Sequence, residues 1–150
     1  MDKKQLVTRV IEPTLKQLGL YSESAVNLLV MIAAHESVKG NYIAQLVGPA
    51  RGIYQMEGNT HDDIIKWLKE NKPTIYAQIN LLVTEVNADM MMYDLRYATA
   101  MARVFFLRFP EALPSGSDVN AMAAYAKLRW NTKLGKATPA DYKNAYLSWK

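Results

Sequence analysis

Apolar residues gather most densely between Ala25 and Ala34, where only Asn27 is polar. A helix over this run carries apolar side chains on nearly every face, which places it inside a domain or a membrane. A run of about ten residues falls well short of the roughly 20 that span a bilayer. The pattern therefore predicts the central helix of a folded domain, capped by Ser22 or Ser24 and ending near Glu36. Elsewhere apolar positions recur at the three-to-four spacing of amphipathic helices. Leu6, Val7 and Val10 predict a helix from Lys3 to Ile11. Pro13 opens a second short helix, since its missing N–H costs nothing in a first turn, and Gly19 closes it. Thr60 and Asp63 have the spacing of a capping box, and Ile64, Ile65 and Leu68 form the buried stripe of a helix from His61 to Glu70. Pro73 starts another, through about Val83, whereas Asn87 to Met92 has no clear period. Asp94 caps a long helix to Phe109, with Leu95, Ala98, Ala102, Phe105 and Phe106 turned inward. Asp118 caps one to about Trp130, and Thr138-Pro139 with Asp141 opens the last, to Trp149.

No segment alternates with the period of a strand, and Val47 to Met56 has room for a short β-hairpin at most. The turn-rich stretch from Pro110 to Ser117 is a break between helices. No repeat or linker divides the chain. The expectation is a single, mainly α domain over residues 1–150.

Composition narrows the picture. A chain of 150 residues fits one domain able to bury about 70% of its unfolded surface. Half its residues are hydrophobic and no tract is of low complexity, which argues against disorder. The absence of cysteine excludes disulfides and thiolate chemistry. The start, MDKKQLVTRV, has charge without the apolar core of a signal peptide. The chain is expected to be a monomer with no stable membrane insertion. A formal charge of +4 favours an anionic partner, and wall polymer, nucleic acid and lipid headgroups all qualify. No Lys/Arg cluster lies along one helix, so nucleic acid is not the expected partner. His35 and His61 lack metal-site spacing, and neither a phosphate loop nor a dinucleotide fingerprint is present. No metal and no cofactor are expected. Met90-Met91-Met92 reads as flexible apolar packing.

Candidate chemistry centres on Glu36. It follows the apolar helix and precedes a loop holding Gly40, Gly48, Gly52 and Gly58, four of the chain's seven glycines. Burial against an apolar helix disfavours an ionised carboxylate, and the negative end of the helix dipole does the same. Both raise the pKa, as an acid that must stay protonated near neutral pH requires. On position alone, the rival reading is a solvated glutamate at a helix end.

The residues around Glu36 also carry a resemblance. Glu36-Ser37, then Gly48-Pro49-Ala50-Arg51-Gly52-Ile53-Tyr54-Gln55-Met56-Glu57-Gly58-Asn59-Thr60, resembles the soluble lytic transglycosylase pattern of the lysozyme-like superfamily. Ala123-Ala124-Tyr125 is similar to that family's later A-Y-N-A-G motif. With the late Asn131-Thr132 pair, the variant looks most like phage-encoded members. Two positions depart: Ala126 replaces the motif's asparagine, and Gly58 replaces a proline. The first weakens any carry-over of substrate contacts from that motif.

The resemblance implies a lysozyme-like helical fold. It also implies cleavage of the β-1,4 bond between MurNAc and GlcNAc in peptidoglycan glycan strands, with Glu36 as general acid and base. It places Gln55 in the groove, Tyr54 beside the catalytic region and Ser37 in support of the carboxyl group. Tyr125 either orients Glu36 or a sugar hydroxyl, or packs in the core. Tyr42, Trp67, Tyr93, Trp130 and Trp149 offer ring faces to sugars or serve as boundary residues. A hydrolase generally needs a second carboxylate, whereas a lytic transglycosylase can close a 1,6-anhydro ring with one. Asp62 and Asp63 are explained by their helix start, which leaves Glu57 as the possible second carboxylate with its role open. The transglycosylase product is modestly preferred. A phage enzyme of this kind is held in the host cytoplasm until a holin releases it, or travels on the virion. The rival from another class is a non-catalytic lysozyme-like virion structural or binding protein.

Overall fold

The computed structural model describes residues 1–150, and it is mainly helical with one two-stranded hairpin. The helices are α1 (Lys3–Leu6), α2 (Glu12–Leu18), α3 (Glu23–Glu36), α4 (Gly58–Asn71), α5 (Pro73–Asn80), α6 (Met90–Tyr93), α7 (Leu95–Phe105), α8 (Val119–Tyr125) and α9 (Pro139–Ser148). Strands β1 (Ala50–Arg51) and β2 (Met56–Glu57) pair antiparallel, with Ala50 opposite Glu57 and Arg51 opposite Met56. No helix is long and apolar enough to cross a membrane.

The expected central helix is α3. Ser22 caps it by accepting from the Ala25 N–H at 3.0 Å, while Ser24 Oγ accepts from Gly116 N–H. Every residue from Ala25 to Ala34 except Asn27 is buried. Asn27 satisfies its amide on the Gly116 carbonyl at 2.9 Å. Burial of Val26, Leu28, Leu29, Val30, Met31 and Ile32 stabilises by about 1.5–3 kcal/mol for each such side chain. α7 is the second core helix, with Tyr97 to Ala102, Val104 and Phe105 buried. The two belong to one continuous cluster of 36 buried residues.

Most helix ends follow the sequence signals. Gly19 adopts φ 71° and closes α2. Asp94 accepts from the Arg96 and Tyr97 N–H groups, and Asp118 from Ala121. Thr138 and Asp141 form a full capping box at α9. Two expectations need correction. Pro13 does not separate two helices, because a π-wound segment, Val7–Ile11, joins α1 to α2 without a break. A proline ring clashes with the carbonyl four residues back, and the wider π turn relieves that crowding. At α4, Thr60 is no cap: the helix starts at Gly58, three residues before the expected His61, with Glu57 preceding it.

Candidate active site

The site forms where α3 ends. Glu36 is its last residue, half-buried, and Ser37 follows at 0% exposure. The Ser37 hydroxyl donates to the Ala33 carbonyl (2.9 Å) and accepts from the Gly40 N–H (3.0 Å). These bonds turn the chain away from the helix through Val38 and Lys39, both at left-handed φ (51° and 61°). The turn leaves the Glu36 carboxyl facing a cleft of about 620 Å³, which Gln45, Ala50, Gln55, Met56, Glu57, Thr60, Phe105, Trp130, Asn131, Thr132 and Gly135 also line. That volume lies within the range of small-molecule sites, about 300–1,000 Å³.

One hydrogen bond holds the carboxyl group: Tyr142, fully buried on α9, donates its hydroxyl to Glu36 Oε1 at 2.7 Å. The Tyr142 ring also packs on His35, with centroids 4.5 Å apart. Burial raises the Glu36 pKa above the ordinary glutamate range, and the Tyr142 hydrogen bond and the charge of His35 only partly offset it. Desolvation penalises the carboxylate more than one donor and one nearby cation stabilise it.

The hairpin supplies the facing groups. Gln55 sits at its turn with φ 56° and donates from Nε2 to the Gly52 carbonyl at 2.8 Å. Gly52 has φ 79°, and a methyl group there would collide with the Met91 carbonyl. Both left-handed conformation and close approach therefore demand glycine. Glu57 ends β2 exposed at the cleft and brings a second carboxyl group. Backbone strain gathers here. The four non-glycine residues with positive φ are Val38, Lys39, Gln55 and Thr132, two just after Glu36 and two in the cleft wall. Such residues cost about 1–3 kcal/mol each and cluster at functional sites.

Of the site residues expected from the sequence, Glu36, Gln55 and Glu57 come together in the cleft. Three others do not line it. Tyr54 is a core residue at 1% exposure, hydrogen-bonded to Thr99 Oγ1 at 2.8 Å, so its phenol cannot reach a ligand. Ser37 supports the backbone of the turn rather than the Glu36 carboxyl. Tyr125 is buried against Phe106, with ring centroids 5.4 Å apart, and its hydroxyl finds no partner. The phenol that orients Glu36 is Tyr142 instead, 106 residues away in sequence. No spacing rule connects two residues that meet only because α9 packs on α3. Among the ring faces, Trp130 lines the cleft together with Phe105. Tyr42 and Tyr93 are exposed elsewhere, Trp67 packs on the core, and Trp149 is buried with its indole N–H on the Met1 carbonyl. Gln45, Thr60, Asn131 and Thr132 were unmarked in the sequence as lining residues.

The cleft thus presents a carboxyl group biased toward its protonated form, a second carboxyl group, several amides and hydroxyls, and two aromatic faces. No three His, Asp or Glu side chains converge where a metal ion would be held. These are the groups needed to bind a polyhydroxylated ring and to protonate an ether oxygen. Comparison with protein-family models, with curated proteins and with solved structures finds no match to the chain.

Proposed function

We propose that the chain cleaves the β-1,4 glycosidic bond between MurNAc and GlcNAc in peptidoglycan strands, with Glu36 as general acid and then general base. The observation that carries the reading is Glu36 itself: a half-buried carboxyl group, raised in pKa by burial, held by one phenol and open to a polar cleft. The resemblance of Glu36-Ser37 and the Gly48–Thr60 segment to soluble lytic transglycosylases supports it, and the mainly helical fold with one short hairpin is compatible with it.

Chemistry follows from the protonation state. Protonated Glu36 gives its proton to the bridging oxygen as the C1–O bond breaks, and the bond electrons go to that oxygen. The resulting carboxylate then takes a proton from the hydroxyl that attacks C1. In the preferred course that hydroxyl is the C6 hydroxyl of the same sugar, which closes a 1,6-anhydro ring and needs no second carboxylate. Glu57 supplies the base for water in the hydrolytic course. Gln55, Asn131 and Thr132 offer hydrogen bonds to sugar hydroxyls and N-acetyl groups, and Trp130 offers an apolar ring face.

The chain's formal charge of +4 suits an anionic polymer, while the charged residues lining the cleft itself are Glu36 and Glu57. On this reading the protein is phage-encoded. It reaches the wall through a membrane lesion or on the virion.

The test is incubation with purified sacculi and mass analysis of what dissolves. Soluble muropeptides with anhydro ends are expected. Products heavier by one water at the cut end would assign hydrolysis and make Glu57 the base. Intact sacculi under all conditions would refute the enzymatic reading and favour a non-catalytic virion protein.

A further inference from the structure

The three amide side chains that line the cleft, Gln45, Gln55 and Asn131, are each fastened at one end. Gln45 lies in an extended segment beside β1, where Ala44 bridges to Arg51 and the Gln45 N–H donates to the Ala50 carbonyl at 2.9 Å. Its side chain returns to the same residue, and Oε1 accepts from the Ala50 N–H at 3.2 Å. Asn131 ends the π-wound segment Ala126–Asn131 that follows α8, just before the left-handed turn at Thr132 (φ 70°). Its Oδ1 accepts from Lys127 Nζ at 2.7 Å, and the same ammonium group donates to the Gly135 carbonyl at 2.8 Å. Each of these two amides is seated against a glycine: a methyl group on Gly48 would collide with Gln45, and one on Gly135 with Asn131. Gln55 is fastened the opposite way, by Nε2 on the Gly52 carbonyl.

The anchors leave no choice of orientation. A backbone N–H and an ammonium group only donate, and a carbonyl only accepts. Gln45 and Asn131 must therefore spend their oxygens on their anchors, which leaves Nε2 and Nδ2 as donors with no hydrogen bond of their own. Gln55 must spend its nitrogen, which leaves Oε1 as an acceptor without a partner and open to solvent. The hydroxyls of Thr60 and Thr132 can rotate to donate or accept; the three amides cannot change sign. An acetamido group has the matching fixed polarity, a carbonyl oxygen that only accepts and an N–H that only donates. It also reaches further from a sugar ring than a hydroxyl does.

We propose that Gln45, Asn131 and Gln55 are specificity-determining residues that read acetamido groups along the bound chain: Gln45 and Asn131 donate to their carbonyl oxygens, and Gln55 accepts from an N–H. The inference rests on the reading of the cleft as a glycan site and extends it to Gln45, which lies outside the segments that resemble transglycosylase motifs.

Single-atom exchanges test it. Gln45→Glu still accepts from the Ala50 N–H, and Asn131→Asp still accepts from Lys127, but each replaces the free donor by a carboxylate oxygen. Binding of chitotetraose and cellotetraose, both neutral β-1,4 chains with and without acetamido groups, is measured by calorimetry on Glu36→Gln protein, so that no ligand is consumed. This protein should prefer chitotetraose by at least about tenfold. Each exchange should weaken chitotetraose by about tenfold and leave cellotetraose within about twofold, since a donor to a carbonyl is lost and an acceptor is set against it. Gln45 is exposed, so Gln45→Glu keeps the comparison if Asn131→Asp does not fold. No preference for chitotetraose, or exchanges that weaken both ligands alike, would overturn the assignment. Selective binding by a protein whose wild type leaves sacculi intact would keep it and overturn the enzymatic reading. Cleavage of sacculi without that selectivity would do the opposite.

Discussion

Glu36→Gln separates the chemistry of the site from its architecture. The amide has nearly the shape of the carboxyl group, and its oxygen still accepts the 2.7 Å hydrogen bond from Tyr142. What it lacks is a transferable proton. General acid catalysis is worth about 10²–10⁴-fold, or about 3–5 kcal/mol of transition-state stabilisation, so release of muropeptides should fall by at least that factor. Stability should move the other way near neutral pH. Burial raises the folded-state pKa of Glu36 above its unfolded value. The stability that goes with the protonated form is therefore complete below the unfolded pKa, about 4, and is lost as pH rises through the folded value. Glutamine carries no such penalty. The variant should melt with the wild type in acid and above it at pH 7. The assay pairs sacculus digestion with melting curves at both pH values, followed by circular dichroism. A folded Glu36→Gln protein that cleaves at near wild-type rate would refute the assignment. Equal melting temperatures at pH 7 would refute the argument from burial.

Two neighbours test the division between cleft and core. Gln55→Ala should reduce turnover by at least about tenfold while costing about 1 kcal/mol of stability for its bond to Gly52; a collapse in melting temperature with unchanged activity per folded molecule would make Gln55 structural. Tyr54→Phe should do the reverse. Thr99 Oγ1 spends its proton on the Leu95 carbonyl, so Tyr54 is the donor to Thr99. Losing that bond should cost about 0.5–1.5 kcal/mol and leave activity per folded molecule intact, which melting curves and specific activity together would check.

Local rules reach far along this chain because most of its elements are punctuated by residues with one physical use. Gly19, Asp94, Asp118 and the Thr138–Asp141 pair act within four residues of themselves, so sequence alone places those helix ends, and at α3 it narrows the cap to Ser22 or Ser24. The apolar run from Ala25 to Ala34, interrupted only by Asn27, likewise determines α3 as a core helix and leaves Glu36 at its exit. Sequence also marks the glycine loop, where Gly52 takes a left-handed conformation against the Met91 carbonyl that leaves no room for a side chain. It misplaces Thr60, where an earlier helix start wins over spacing, and it does not show that a π turn joins α1 to the helix that Pro13 opens. What surrounds Glu36 is decided by packing across the whole chain. Tyr142 reaches it because α9 packs along α3, and a left-handed turn at Thr132 brings the segment after α8 into the cleft wall. A buried helical tyrosine looks the same in sequence whether its hydroxyl is left without a partner, as at Tyr125, or donates to a carboxyl group, as at Tyr142. Side-chain spacing reports which face of a helix is buried, but not which other helix covers that face. For that reason Glu36 was legible in the sequence as a candidate acid and its hydrogen-bond partner Tyr142 was not.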